Sequence, residues 1–418
     1  MKRVLLLILF TGCSSNVPPP ASSTTTPDKP PSAVVITPKN VVFTEGPLAA
    51  SPTLQTLALP PVHGGCALWG ATGRDHRGHI YLGVSLDGVD LPSAQLLEYN
   101  PASDEFAKCG DALQQLQNLN LAKPGEGQNK IHTKILQAAD GLLYFASMDE
   151  SGENEDGSKL PTFGSHLWRL KPGERSWQHL GHVPEAILAS AVSGKFVYFL
   201  GYYGHVLYQF DTTLNKITNQ VRVGSVGGHT TRNFLADDRG HVFVPRVTKD
   251  GASLVEFDED LHEVNSVPLA DYSTTPDASS HGIVGVTPLK GGSWCFVTDR
   301  GRLYRLDPRA TGTTVTDLGH LHPQGESYSA ALFCPDGETK LLAVGHRQPK
   351  GEPSYECIQF DLTTKTATAT PLTMPIPGEH RAVLVYGSFT RDDAGRCYLV
   401  GRYLSGMQSV PAVWGLMP

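Results

Sequence analysis

Across 418 residues, 34 Lys and Arg stand against 41 Asp and Glu, a formal net charge of −7 that is scattered along the chain. No basic stripe forms, so nucleic acid is not an expected partner. Hydrophobic residues make up 40% of the chain, enough for a large core, yet past the opening residues nothing approaches the roughly 20 consecutive apolar residues of a membrane span.

In chain order, Lys2 and Arg3 precede the apolar run Val4 to Phe10 and then Thr11-Gly12-Cys13. This is the layout of an export signal with a small-residue cleavage site. Because it ends at a cysteine, the segment 1–13 resembles a bacterial lipoprotein signal with Cys13 as the lipidated residue; a plain signal peptide is the other reading. Residues 14–37 are dominated by Pro, Ser and Thr, a composition that buries too little apolar surface to offset its ordering entropy. They are expected to be a disordered tether. The expected location is therefore the cell envelope, with the membrane reached through the lipid alone. Residues 38–418 exceed an ordinary single domain, a size that closed repeat architectures reach without splitting.

Within that region a unit of roughly 50 residues recurs. It is clearest from Asn129 to Leu170, which reads NKIHTKILQAADGLLYFASM, then a polar insertion, then GSHLWRL. Ala139-Asp140-Gly141 separates two apolar runs, and its glycine supplies the positive φ of a tight hairpin. Leu142 to Ala146 is short, apolar and aromatic, as suits a buried strand. Copies run from His63 to Asn100, Ile131 to Lys171, Ile187 to Asp211, His229 to Asp258, His281 to Asp307, Tyr328 to Asp361 and His380 to Trp414. Most are followed by a fourth apolar run, as in NSVPL and TATPL. Seven copies of four antiparallel strands define an all-β, seven-bladed β-propeller, an architecture without long exposed edges. The last copy lacks its fourth run, and LQTLALPPV just before His63 is the candidate to complete it, closing the ring between the two ends of the domain. One helix is expected, from Asp111 to Asn120, in the linker between the first two copies.

Six cysteines follow Cys13, namely Cys66, Cys109, Cys295, Cys334, Cys357 and Cys397, without zinc-type spacing; isolated buried thiols are the favoured reading. Five of the seven copies begin with histidine: His63, His132, His229, His281 and His380. Imidazoles gathered at one end of a channel suit proton transfer or metal ligation. Repeat inheritance, each histidine merely bonding a neighbouring blade, is the alternative. Long polar insertions from Ser85 to Ala94 and from Asp149 to Gly164, with the linker Asp111 to Gln128, are suited to building a ligand groove.

The runs IHTKILQAADGLLYFAS, GSHLWRL, VYFLGYYGHVLYQFD and HTTRNFLADDRGHVFV resemble the seven-bladed propeller polysaccharide lyases, chiefly the ulvan lyases and more distantly oligogalacturonate lyase. The likeness covers blades two to four, around a third of the domain. It implies cleavage of a uronic-acid-containing glycan by β-elimination, with His132, His166, Tyr202 and Arg232 as the catalytic set. His63, Lys134, Tyr203 and Tyr208 are implied as substrate-binding positions. Arginine suits the task, since its planar fork neutralises a carboxylate bidentately, and a His or Tyr then moves the protons. If His229 and Arg232 share a regular strand, however, they lie about 10 Å apart on opposite faces, so that only one meets the channel. The more distant likeness implies a divalent metal ion on His229, His281 and His380, and no other cofactor is assigned. The expected partner is an acidic polysaccharide or oligosaccharide bound by a monomer. A non-catalytic propeller binding glycan or protein, and a metal-dependent lyase acting on a small molecule, are the alternatives.

Overall fold

The computed structural model describes residues 52–272, 281–309, 312–347, 354–377 and 382–417, together with the backbone of Val35–Ile36. The expected export signal, most of the expected tether and His380 lie outside the described residues.

Seven antiparallel sheets succeed one another along the chain, each matching one copy of the repeat. Blade one begins with Gly65–Ala67 and Thr72–Arg74 and ends with Glu105–Asp111; blade two runs from Lys130–Ile131 to Gln178–Val183. Blade three spans Ile187–Ser193 to Lys216–Arg222, and blade four Leu235–Ala236 to Glu263–Leu269. Blade five spans Ile283–Pro288 to Gly312–His320, and blade six Tyr328–Phe333 to Thr366–Pro371. Blade seven takes Ala382–Val385, Cys397–Ser405 and Gln408–Met417 from the C-terminal end of the chain and its fourth strand, Thr53–Leu57, from the start of the domain. Thr53 lies opposite Met417 and Leu57 opposite Val413 in antiparallel register. The ring is thus closed by backbone hydrogen bonds, with the strand anticipated from sequence. Within the segment expected to be tether, the backbone of Val35–Ile36 pairs in parallel with Gly312–His320, a fifth strand on blade five.

Each blade buries both faces, because successive side chains on a strand point to opposite sides. Ile80 and Leu82 pack toward blade seven while Tyr81 packs toward blade two. Phe145 faces blade one, and Tyr144 and Ala146 face blade three. Among the described residues the core therefore consists of seven apolar clusters, one at each junction between neighbouring blades. The six cysteines after Cys13 are unpaired, and all but Cys66 are buried in this core.

Polar devices brace the outer turns. In the run DHRGH, Asp75 Oδ1 accepts the backbone N–H groups of Arg77 and His79 (2.9 and 3.1 Å). Arg77 and His79 then reach Glu98 on the third strand. DDRGH in blade four repeats this arrangement with Asp237, Arg239, His241 and Glu256. The helix Ala112–Asn118 is started by Asp111, whose side chain accepts the N–H of Gln114 (3.0 Å), an N-cap that satisfies an otherwise orphaned donor.

Candidate functional site at the channel mouth

The innermost strands of blades one and two are each broken, between Ala67 and Thr72 and between Ile131 and Leu136. At the second break Thr133 Oγ1 accepts the N–H of Ala146 (3.0 Å), so that backbone donor is not stranded. Gly70 and Gly387, at φ +94° and +103°, bend the chain immediately after Trp69 and Tyr386, a conformation that glycine adopts without steric cost. Ahead of blade four's short first strand the chain is irregular and pinned to blade five. There the Arg232 N–H donates to the His281 carbonyl (2.9 Å), and Asn233 Nδ2 donates to the carbonyls of Ile283 and Val284 (3.0 and 3.1 Å).

These irregularities present Trp69, His132, Lys134, Arg232 and Tyr386 to one small pocket at the centre of the ring. Trp69 packs on Tyr386 (ring centroids 4.4 Å apart) and lies 6.3 Å from His132. Cations attend the rings: Lys130 and Arg402 lie 5.1 and 5.2 Å from Trp69, and Arg232 lies 5.4 Å from Tyr386. A chain of ring contacts continues around the mouth, from Tyr203 to Tyr202 (4.1 Å), His229 (4.9 Å), His281 (5.2 Å), Tyr328 (5.4 Å), His346 (5.5 Å) and Tyr355 (5.5 Å).

Arg232 dominates the electrostatics. Its Nη2 donates to His281 Nε2 (3.2 Å), while Nε and Nη1 are buried without any acceptor. Burial and this guanidinium hold His132 and His229 well below the usual histidine range, so both are neutral at physiological pH. His229 Nε2–H donates to the Thr231 carbonyl (3.1 Å), which leaves Nδ1 a buried lone pair without a donor. Burial, reinforced by Arg232, lowers Lys134 to about 8. Burial raises Tyr202, with Glu150 adding to it, and pushes Tyr328 up to about 12. The tyrosines are therefore proton donors here. An acidic rim faces these groups: Glu150 pairs with Lys130, and Glu153 is lifted to about 8 by burial and by neighbouring Glu150.

Of the positions implied by sequence, His132, Lys134, Tyr202, Arg232, His229 and His281 gather at the mouth. His229 and Arg232 both reach it because the chain there is not a regular strand, so the alternation of faces does not apply. Tyr203 is buried behind Tyr202. His63 does not join them: it sits exposed in a turn between the closing strand and blade one. Tyr208 is buried between blades two and three, its hydroxyl donating to Glu185 (3.3 Å). His166 also stands apart, on the third strand of blade two, bonded to Glu126 and His179. As to a metal, His281 Nε2 faces a guanidinium and Nδ1 faces the Tyr328 hydroxyl (2.7 Å), so this imidazole presents no open lone pair to an ion in this arrangement. Trp69, Tyr386, Arg402 and Tyr328 were not singled out from sequence. The available signal was an aromatic-glycine pair, Trp69-Gly70 and Tyr386-Gly387, in the first strands of copies one and seven.

Among the described residues, Asp75, His79 and Glu98 have ligand atoms within 4.8 Å of one another. Arg77 already lies among them, 2.7 Å from Asp75 and 2.5 Å from Glu98, and supplies the positive charge a metal would bring.

The fold places this chain among the seven-bladed β-propellers. No protein-family model and no curated protein matches the sequence. Solved structures do resemble the fold. The WD40 repeats of RRP9 align with a TM-score of 0.51 at 11% identity, covering 87% of this chain and 97% of that one. The β-propeller of Myceliophteria thermophila Cps50 (Swd1) aligns at 0.52 and 9%, covering 87% and 99%. Chaetomium thermophilum Sqt1, solved bound to the N-terminus of ribosomal protein L10, aligns at 0.50 and 12%, covering 82% and 84%. At such identities the likeness is one of fold alone.

Proposed function

We propose that this propeller binds a carboxylate-bearing glycan at its channel mouth, the chain being exported and held at the cell envelope by a lipid on Cys13. The observation that carries this reading is Arg232, whose Nε and Nη1 are buried without an acceptor. A buried donor left unmade is costly; Nε and Nη1 lie on different edges of the guanidinium, so each calls for an anionic oxygen of its own or for a carboxylate that spans it and the neighbouring Nη2. Lys134 and Arg402 add positive charge, and the rings of Trp69 and Tyr386 offer apolar faces for the C–H side of a sugar.

Turnover by β-elimination is the second reading, favoured by His229. Its neutral Nδ1 lone pair is fit to take the proton beside the carboxylate, Arg232 to neutralise the charge that develops, and Tyr202, raised in pKa, to donate to the leaving oxygen. His132 is the other neutral imidazole within the site.

Calorimetric titration with uronate oligosaccharides tests the binding reading. Saturable binding is expected, weakened about 30-fold or more in Arg232→Ala, the loss of about 2 kcal/mol or more that follows removal of one partner of a buried charge pair. Binding unaffected by Arg232→Ala, or none to any uronate, overturns it; capture of an acidic peptide instead identifies a protein partner. Appearance of unsaturated-uronate absorbance, abolished in His229→Ala with binding retained, establishes turnover, and its absence with binding intact leaves a binding propeller.

A further inference from the structure

We propose that His166, His179 and His182 form a divalent transition-metal site on blade two, radially outside the channel mouth, with Glu126 as the carboxylate that orients it. His179 and His182 lie on the outer strand Gln178–Val183 and His166 on the strand beside it. Three residues apart on a regular strand, His179 and His182 point to opposite faces. A register shift between Leu167 and Trp168 changes this: His166 stands opposite His182 and Trp168 opposite His179. A β-bulge re-aims side chains in this way, and both imidazoles come to flank His166, each ring 5.0 Å from it.

The hydrogen bonds then select the lone pairs. Glu126, nearly fully buried, accepts from His166 Nε2 (2.9 Å), so His166 Nδ1 is a lone pair, facing His179 Nε2 at 2.8 Å. His182 Nε2 donates to the Phe163 carbonyl (2.6 Å), which makes its Nδ1 a lone pair as well. Two of the three imidazoles thus already have the outer partner that metal-bound histidines have, a carboxylate or carbonyl holding the far N–H. Only one proton holds His166 and His179 together. Replacing it by zinc moves that proton from His179 Nε2 to His179 Nδ1, the other tautomer, and requires the two nitrogens to separate to about 3.3 Å, the spacing of two ligands about 2.0–2.1 Å from a tetrahedral ion. The third ligand comes from Nδ1 of His182, whose exposed ring lies 5.0 Å from that of His166, and water takes the fourth position.

Isothermal titration of the full chain with Zn²⁺, after chelator treatment and gel filtration, tests the site. One saturating equivalent is expected, with a visible absorption band of tetrahedral type when Co²⁺ is used instead. His179→Ala and His182→Ala each remove that equivalent. Glu126→Gln leaves it but weakens it about 10–100-fold, the usual effect of losing an orienting partner. His229→Ala at the channel mouth leaves it unchanged, which separates this site from the mouth. Circular dichroism confirms the fold of each variant, and His182→Ala, at an exposed position, decides the matter if His179→Ala disturbs the strand. Absence of stoichiometric binding by the unaltered chain, or binding unchanged in His182→Ala, overturns the proposal.

Discussion

At the scale of single residues, the mouth is governed by charges whose state the surroundings set. Replacing Arg232 by lysine retains a positive charge but not the fork; Arg232→Lys is expected to bind uronate more weakly than the native chain and more tightly than Arg232→Ala, as calorimetry will measure. The pH dependence follows from two groups placed near 8. Lys134 is protonated below about 8 and neutral above it, while Glu153 is protonated below about 8 and charged above it. Both changes make the mouth less positive as pH rises, so affinity for an anionic glycan is expected to fall between pH 7 and pH 9. His132 and His229, neutral throughout, give no step near 6.5. Lys134→Met is expected to weaken binding at pH 7 and flatten the profile; a profile identical to the native one counts against the role assigned to this amine. Arg232, His132, Tyr202 and Lys134 were legible from sequence because they fall within runs that resemble known lyases. Trp69 and Tyr386 were not, since in a single sequence an aromatic on an inner strand is indistinguishable from core.

Among elements, the inner strands of blades one and two approach each other closely at Gly73. A Cβ at Gly73 would lie 1.7 Å from the Ile135 carbonyl oxygen, an atom of the backbone. Nothing flexible can yield there, so Gly73→Ala is expected to destabilise by about 3 kcal/mol or more, at or beyond the top of the usual range for overpacking, visible as a clear drop in Tm. The outer turn of blade one responds to acid. Burial raises Glu98, but hydrogen bonds from His79, Arg175 and Arg77 outweigh it and bring the carboxyl from 4.5 down to about 2. A depressed carboxylate stabilises the fold above its unfolded-state value and loses that contribution as pH falls through the folded one. Unfolding by urea is therefore expected to become easier between about pH 4.5 and pH 2, and less steeply so in Glu98→Gln. The repeat unit was legible at this scale because turn residues recur at fixed offsets between apolar runs. The bulge that aligns His179 with His182 was not, because it depends on the pairing of two strands.

For the whole molecule, closure is the decisive contact. Thr53–Leu57 covers the edge of Gln408–Met417 by antiparallel pairing, and Leu57 is buried between blades seven and one. Deleting residues 53–57 exposes that edge and opens the ring. The expected result is a lower Tm and concentration-dependent association, read by calorimetry and light scattering, as for any long unpaired strand edge. Leu57→Asp, which retains the backbone pairing, is expected to lower Tm without association. A chain lacking the strand but equally stable and monodisperse would show that blade seven holds with three strands.

The sequence by itself determined the architecture: blade number, strand type and turn positions are local patterns repeated seven times, and the linker helix and the closing strand are single segments that stand out against that repeat; such patterns need no knowledge of distant contacts. It also placed an arginine and several histidines at strand starts. Only the tertiary structure decided which of them meet. His166 leaves the mouth for a cluster of its own and His63 stays in solvent, while His229 joins Arg232 through an irregular segment pinned to the next blade. The reason is that a site in a ring is assembled from breaks and bulges in neighbouring blades, and the direction of a side chain at a break is set by the blade packed beside it.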